Sequence, residues 1–170
     1  MKTLIVTDKD SKTELSEDLL VRLHRLLTDQ ALEIDLIDVG RDEILPCRGC
    51  LLCLTRNHGQ CVFKDLVSDY RRRIDEYNAV FVIAPIVFGQ LPSHIKNVVD
   101  RGVYSGKLHV TIGNGTDATA EERSTFRDII IKHQGAADIV HPGLFKEVQV
   151  QITDSVEDNV TICGRIGRSL

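Results

Sequence analysis

A chain of 170 residues can bury a sizeable core within one domain, and 42% hydrophobic with 27% charged residues is the make-up of a folded protein. A net charge of −4, from 21 basic and 25 acidic side chains, leaves no positive excess for nucleic acid or an anionic membrane surface. The opening apolar run Leu4-Ile5-Val6 is too short for a signal-peptide core and no stretch reaches the length of a membrane span, so a cytoplasmic location is expected.

Residues 4–6 read as a buried strand. Ser11-Lys12-Thr13-Glu14 then has the form of a capping box, and Leu15, Leu19, Leu20, Leu23, Leu26 and Leu27 share one helical face behind it. Residues 34–38 form a second strand. Segment 46–61 is expected to be a loop, because Pro46, Gly49, Asn57 and Gly59 oppose regular structure. Asp65 caps a helix with Leu66, Tyr70, Ile74 and Tyr77 on its apolar side. Residues 79–84 are continuously apolar, the mark of a strand covered on both faces. Pro92 opens a helix carrying Ile95, Val98 and Val99. A fourth strand over 108–112 runs into Gly113-Asn114-Gly115, and Thr119-Ala120-Glu121-Glu122 is a further capping box, ahead of Phe126, Ile129 and Ile130. Beyond Gly135 the pattern weakens: Val148, Val150 and Ile152 alternate as in a strand, and Gly164 and Gly167 mark the last fifteen residues as a poor helix. Strands alternating with helices predict an α/β fold, a parallel sheet with helices on both faces. Ligands of such sheets sit outside the carboxyl ends of the strands, which brings loops 7–14, 46–61, 85–91 and 113–119 forward.

Four of the five cysteines lie in one of those loops, with two, two and seven residues between them: Cys47, Cys50, Cys53 and Cys61. A C-x2-C-x2-C run can wrap three thiolates around one corner of a cubane, and a more distant cysteine can close the fourth iron. Zinc sites of four cysteines usually pair two C-x2-C knuckles across a longer gap, so the spacing suits zinc less well. A third reading gives the cysteines no metal and makes the loop a lid or subunit contact. Cys163, outside the block, is expected to be a buried structural thiol. His58 within the loop reads as solvated, and His24, His94, His109, His133 and His141 show no ligand spacing. Neither a G-x-S-x-G nor a P-loop is present, which leaves hydrolase and kinase readings without support.

The stretches "LIVTDKDSKTE", "CRGCLLC…GQCVFKD" and "VFVIAPIVFGQLPSHIKNVVDR" resemble the flavodoxin-like flavoproteins, and are most similar to NAD(P)H-dependent FMN reductases and the related iron–sulfur flavoproteins. The resemblance implies a single three-layer flavodoxin-like domain over 1–170, with five parallel strands in the order 2-1-3-4-5 and the cysteine-rich loop 46–61 inserted after strand 2. It implies FMN, with Ser11, Lys12 and Thr13 at the phosphate. Pro85, Ile86, Val87, Phe88 and Gly89 would lie against the ring and ribityl chain, and Gly113, Asn114 and Gly115 on the ring's other side. Cys47, Cys50, Cys53 and Cys61 would hold a [4Fe-4S] cluster. Lys96, Asp100 and Arg101 also match, and are expected to anchor a helix end. The implied activity is an oxidoreductase using NAD(P)H, or an electron-transfer protein with a ferredoxin-like partner, assembled as a homodimer or homotetramer. One departure stands against it. The first loop reads Thr7-Asp8-Lys9-Asp10 where the family favours Ser, Gly, Arg and Asn, and two carboxylates repel a phosphate dianion unless Lys9 and Lys12 offset them. The alternative is therefore a flavodoxin-like domain that has lost its cofactor and serves as a binding or assembly module.

Overall fold

The computed structural model describes residues 1–57, 60–101, 107–140 and 145–170. Five strands, β1 (Lys2–Asp8), β2 (Glu33–Val39), β3 (Ala79–Pro85), β4 (Lys107–Asn114) and β5 (Phe145–Thr153), pair in parallel in the order β2-β1-β3-β4-β5. This is the expected flavodoxin-like order. Six helices connect or follow them: α1 (Glu14–Asp29), α2 (Leu52–Thr55), α3 (Leu66–Arg71), α4 (Ser93–Arg101), α5 (Ala120–Val140) and α6 (Val156–Ser169).

The sheet has two cores because side chains alternate across it. Leu4, Val6, Val80 and Val82 face Val67 and Tyr70 of α3, Ile95 and Val98 of α4, and Phe126 and Ile130 of α5. Ile5, Phe81, Ile83, Val110 and Ile112 face Leu19, Leu23 and Leu27 of α1, with Ile162 and Ile166 of α6. Each fully buried aliphatic side chain contributes about 1.5–3 kcal/mol relative to exposure. None of the helices described is long and apolar enough to cross a membrane.

Two local expectations are corrected, and a third, the helix over the last fifteen residues, is met. The cap of α1 is Thr13, not Ser11: Thr13 Oγ1 accepts from Ser16 N at 3.2 Å and Ser16 Oγ accepts from Thr13 N at 2.9 Å, so Ser16 takes the reciprocal place assigned to Glu14. The cysteine segment is not loop throughout, since residues 52–55 form the single turn α2. Lastly, α6 runs through both of its glycines. Ser155 caps it, and a Cβ at Gly167 would come within 3.2 Å of Leu26 Cδ1, so the glycine lets α6 settle against α1.

Candidate functional site

The carboxyl ends of β1, β3 and β4 enclose a cavity of about 90 Å³, lined by Thr7, Asp8, Ser11, Lys12, Pro85 and Asn114 among others. Asn114 closes one wall: its Nδ2 donates to Thr13 Oγ1 at 2.9 Å, while its Oδ1 accepts from Thr116 N and Oγ1 at 3.1 and 2.7 Å. The end of β4 is thereby tied to the start of α1. Ser11 and Lys12 reach the cavity as expected, whereas Thr13 is engaged as the helix cap.

The lysines that could offset the acidic loop have other partners. Lys12 Nζ donates to Asp38 Oδ2 at 2.8 Å, and Lys9 Nζ to Glu43 Oε1 at 2.6 Å. Burial works against the charge on Asp38, but the Lys12 ammonium and the Thr7 hydroxyl outweigh it and hold the carboxyl below its usual range. The hydrogen bond from Lys9 does the same for Glu43. Asp8 turns inward and is buried against His94, with Asp8 Oδ1 2.9 Å from His94 Nε2 and also accepting from Asp10 N at 2.9 Å. Asp8 Oδ2 and His94 Nδ1 have no partner among the described residues. Nothing in the sequence pointed to this pair, because its members stand 86 positions apart.

At the rim, Val87 and Gln90 exchange backbone hydrogen bonds of 2.9 and 3.0 Å across a two-residue turn. Both turn residues are left-handed, Phe88 at φ 49° and Gly89 at φ 71°. That conformation costs a residue with a Cβ roughly 1–2 kcal/mol. Phe88 nonetheless stands 87% exposed at the tip. The three glycines expected at the ring face protein. A Cβ would meet Thr125 Cγ2 at 2.9 Å from Gly89, Ile86 Cγ1 and Phe126 Cε1 at 2.8 Å from Gly113, and Asp154 Oδ1 at 2.7 Å from Gly115.

A second cavity, of about 110 Å³, is lined by all four clustered cysteines together with Arg48, Arg71, Arg101 and Phe63. All four are free thiols. Gly49 and Leu51, left-handed at φ 63° and 55°, turn the chain between Cys47 and Cys53. The cavity rests on one buried ion pair: Arg101 forks onto Asp65 with Nη1–Oδ2 at 2.5 Å and Nη2–Oδ1 at 2.8 Å, the side chains being 1% and 9% exposed. Arg101 Nη1 also donates to Leu45 O at 2.9 Å, and Arg101 and Cys61 stand in the wall of the same cavity. Asp65 accepts from Leu45 N at 3.2 Å and caps α3 through Ser68 N at 3.3 Å, so it secures the chain on both sides of the cysteine segment. Burial opposes its charge, but Arg101 and these backbone donors prevail and hold its pKa down. Two guanidinium groups stack on Phe63, that of Arg48 at 4.9 Å from the ring centroid and that of Arg101 at 5.1 Å. Arg71 donates to the carbonyl of Arg101. Of the residues expected to anchor a helix end, Lys96 and Asp100 pair with each other at 2.5 Å, and Asp100 and Arg101 both line the cysteine cavity. Cys163 is half-buried beside the second core, and burial raises its pKa. His58 and Gly59 lie outside the described residues.

The family model for NADPH-dependent FMN reductase matches residues 1–139. The chain belongs to that family. A relative named iron–sulfur flavoprotein, from Archaeoglobus fulgidus, is 23% identical over 139 residues, covering 75% of this chain and 61% of its own length. This family member thus spans about three fifths of that relative. The structure of an NAD(P)H:quinone oxidoreductase from Methanothermobacter marburgensis superposes with a TM-score of 0.68 at 19% identity, over 99% of this chain and 96% of that one. A flavodoxin from Pseudomonas aeruginosa superposes at 0.58 and 13% identity, over 100% and 99%. At these identities the two structures establish the flavodoxin-like fold.

Proposed function

We propose that the chain is an FMN-dependent, flavin-reductase-like oxidoreductase whose Cys47, Cys50, Cys53 and Cys61 hold a [4Fe-4S] cluster. The observation that carries this reading is the convergence of those four free thiols on one arginine-lined cavity. Four cysteine ligands match the ligand count of a cubane, and buried guanidinium groups suit the negative charge that four thiolates bring. The first cavity fits the phosphate end of FMN. It offers the N-terminus of a sixteen-residue helix, the Ser11 hydroxyl and the Lys12 chain, and the unpartnered Asp8 Oδ2 suits a hydroxyl donor. Its 90 Å³ lies well below the roughly 300–1,000 Å³ of a pocket that encloses a whole small molecule. The ring is therefore assigned to the rim, where Val87 and Phe88 are exposed.

Bound FMN would supply hydride acceptance with one-electron return, and the cluster one-electron storage. The chain's own part is to bind, orient and tune. Asn114 and Thr13 fix the wall beside the phosphate, the 87–90 turn presents an aromatic surface, and Asp65 with Arg101 holds the cysteine loop in place. The electron donor is assigned as NAD(P)H or a ferredoxin-like protein and the assembly as a homodimer or homotetramer, in the cytoplasm. A second reading, a cofactor-free binding module, is favoured by one observation: Lys9 and Lys12 are both engaged by carboxylates, leaving the first loop acidic.

The test is an absorbance spectrum of anaerobically purified protein, with iron, acid-labile sulfide, zinc and released flavin quantified. Flavin bands with about four irons per chain are the expected result. Flavin without iron would reduce the reading to a simple flavin reductase, and no flavin even after incubation with FMN would leave the binding module.

A further inference from the structure

We infer that Arg101 is a positioning residue for the cysteine-bound cluster, fixing Cys61 and favouring the reduced state, with Arg48 and Arg71 completing a cationic wall. The inference rests on the cluster reading above. Its basis is the direction of the buried ion pair. Arg101 lines the cysteine cavity and Asp65 does not, so the guanidinium borders the thiols while its bonded counter-charge lies behind it at the start of α3; Asp100 is the one carboxylate in the wall, against three arginines. The fork to Asp65 and the bond to Leu45 O leave the guanidinium little freedom, and they hold it in the wall that Cys61, a proposed ligand, also lines. Arg48, like Arg101, stacks on Phe63, and Arg71 is buried in the same wall.

Reduction places one electron on the cluster, from reduced flavin in the proposed cycle or from dithionite in the test, and no bond or proton need change. The added negative charge would be stabilised by a nearby fixed cation, the influence on cluster potential that these arginines supply. A residue that only braced the loop would affect assembly and stability, and would leave the potential of an assembled cluster alone.

The experiment is an anaerobic redox titration of the full chain, followed by electron paramagnetic resonance, on wild type, Arg101→Gln, Arg48→Gln and Asp65→Asn, with iron counted in each. Asn still caps a helix, so Asp65→Asn removes mainly the charge behind Arg101. At the wild-type midpoint, Arg101→Gln is expected to show about a tenfold lower ratio of reduced to oxidised cluster, which is 59 mV for a one-electron couple. Arg48→Gln, at an exposed position, should shift the same way by less, and Asp65→Asn should shift the opposite way. If Arg101→Gln does not fold or load iron, the opposed shifts of the other two decide the matter. Unchanged midpoints on a full complement of iron overturn the inference and leave the cluster reading standing. A wild-type chain without iron removes both.

Discussion

Gly113→Ala separates two reasons for a glycine at the end of β4. The backbone there is ordinary strand, so only space requires the missing side chain. An added Cβ would lie 2.8 Å from Ile86 Cγ1, 2.9 Å from Ile86 Cδ1 and 2.8 Å from Phe126 Cε1, against an optimum of about 3.5–4.0 Å between carbons. Phe126 is fully buried in the core shared with α5, and Ile86 is held by its N–H bond of 2.9 Å to Asn114 O, so neither gives way freely. Overpacking of this kind costs about 1–3 kcal/mol. Replacing glycine restricts the unfolded chain and returns about 0.4–1 kcal/mol. The net expectation is a protein about 1–2 kcal/mol less stable, melting roughly 2–8 °C lower for a chain of this length. Urea unfolding of the flavin-free protein measures it. If the flavin-free variant is as stable as wild type and only FMN affinity falls, the glycine serves the ligand and the packing argument is wrong.

Other consequences follow from the same contacts. Arg101→Met leaves Asp65 buried without its cation and should cost about 3–5 kcal/mol in urea unfolding; a loss below about 1 kcal/mol would mean that the carboxylate regains water. Because the folded pKa of Asp65 is depressed, the pair's stabilisation is present above the ordinary aspartate value near about 4 and is lost as pH falls towards the lower folded value. Wild type should therefore lose more stability than Asp65→Asn on acidification from about pH 5 to pH 2; parallel profiles would refute this. Phe88→Gly relieves a left-handed side chain and should stabilise the flavin-free protein by up to about 1 kcal/mol while weakening FMN binding; a less stable variant would show the ring packed against something. Asp38→Asn frees Lys12 Nζ and should tighten FMN binding about tenfold at low salt, or about 1.4 kcal/mol; an unchanged Kd by fluorescence titration would place the phosphate away from Lys12.

The elements that could be read from sequence were those written in one segment. Residues 79–84 are apolar throughout, and the structure covers them on both faces; Thr119 and Glu122 form the expected box, with Glu122 N donating to Thr119 Oγ1 at 3.2 Å. Strand order came from resemblance, because periodicity carries no information about which strands are neighbours. The start of α1 was misplaced because Ser11 and Thr13 both look like caps, and the choice is made by Ser16, a residue type that a Glu-based box does not weigh. The side-chain pairs that build the site were hidden for a different reason: Asp8 with His94 and Asp65 with Arg101 are separated by 86 and 36 positions and meet only when the strands assemble. Segment 46–61 announced its cysteines but not the arginine floor, two members of which lie outside it.

Helix α4 is tied to both cavities, to the first through Asp8 and to the second directly. His94, in its first turn, is buried against Asp8 at the first, and Arg101, its last residue, stands in the wall of the second. Seven residues of α-helix rise about 10.5 Å. Both anchors are buried and bonded to different parts of the chain, so the helix acts as a strut of set length. With both centres loaded, the gap an electron crosses would be fixed by this strut rather than by the loops on either side. An inserted or deleted residue between His94 and Arg101 would then alter the transfer rate without touching a single ligand.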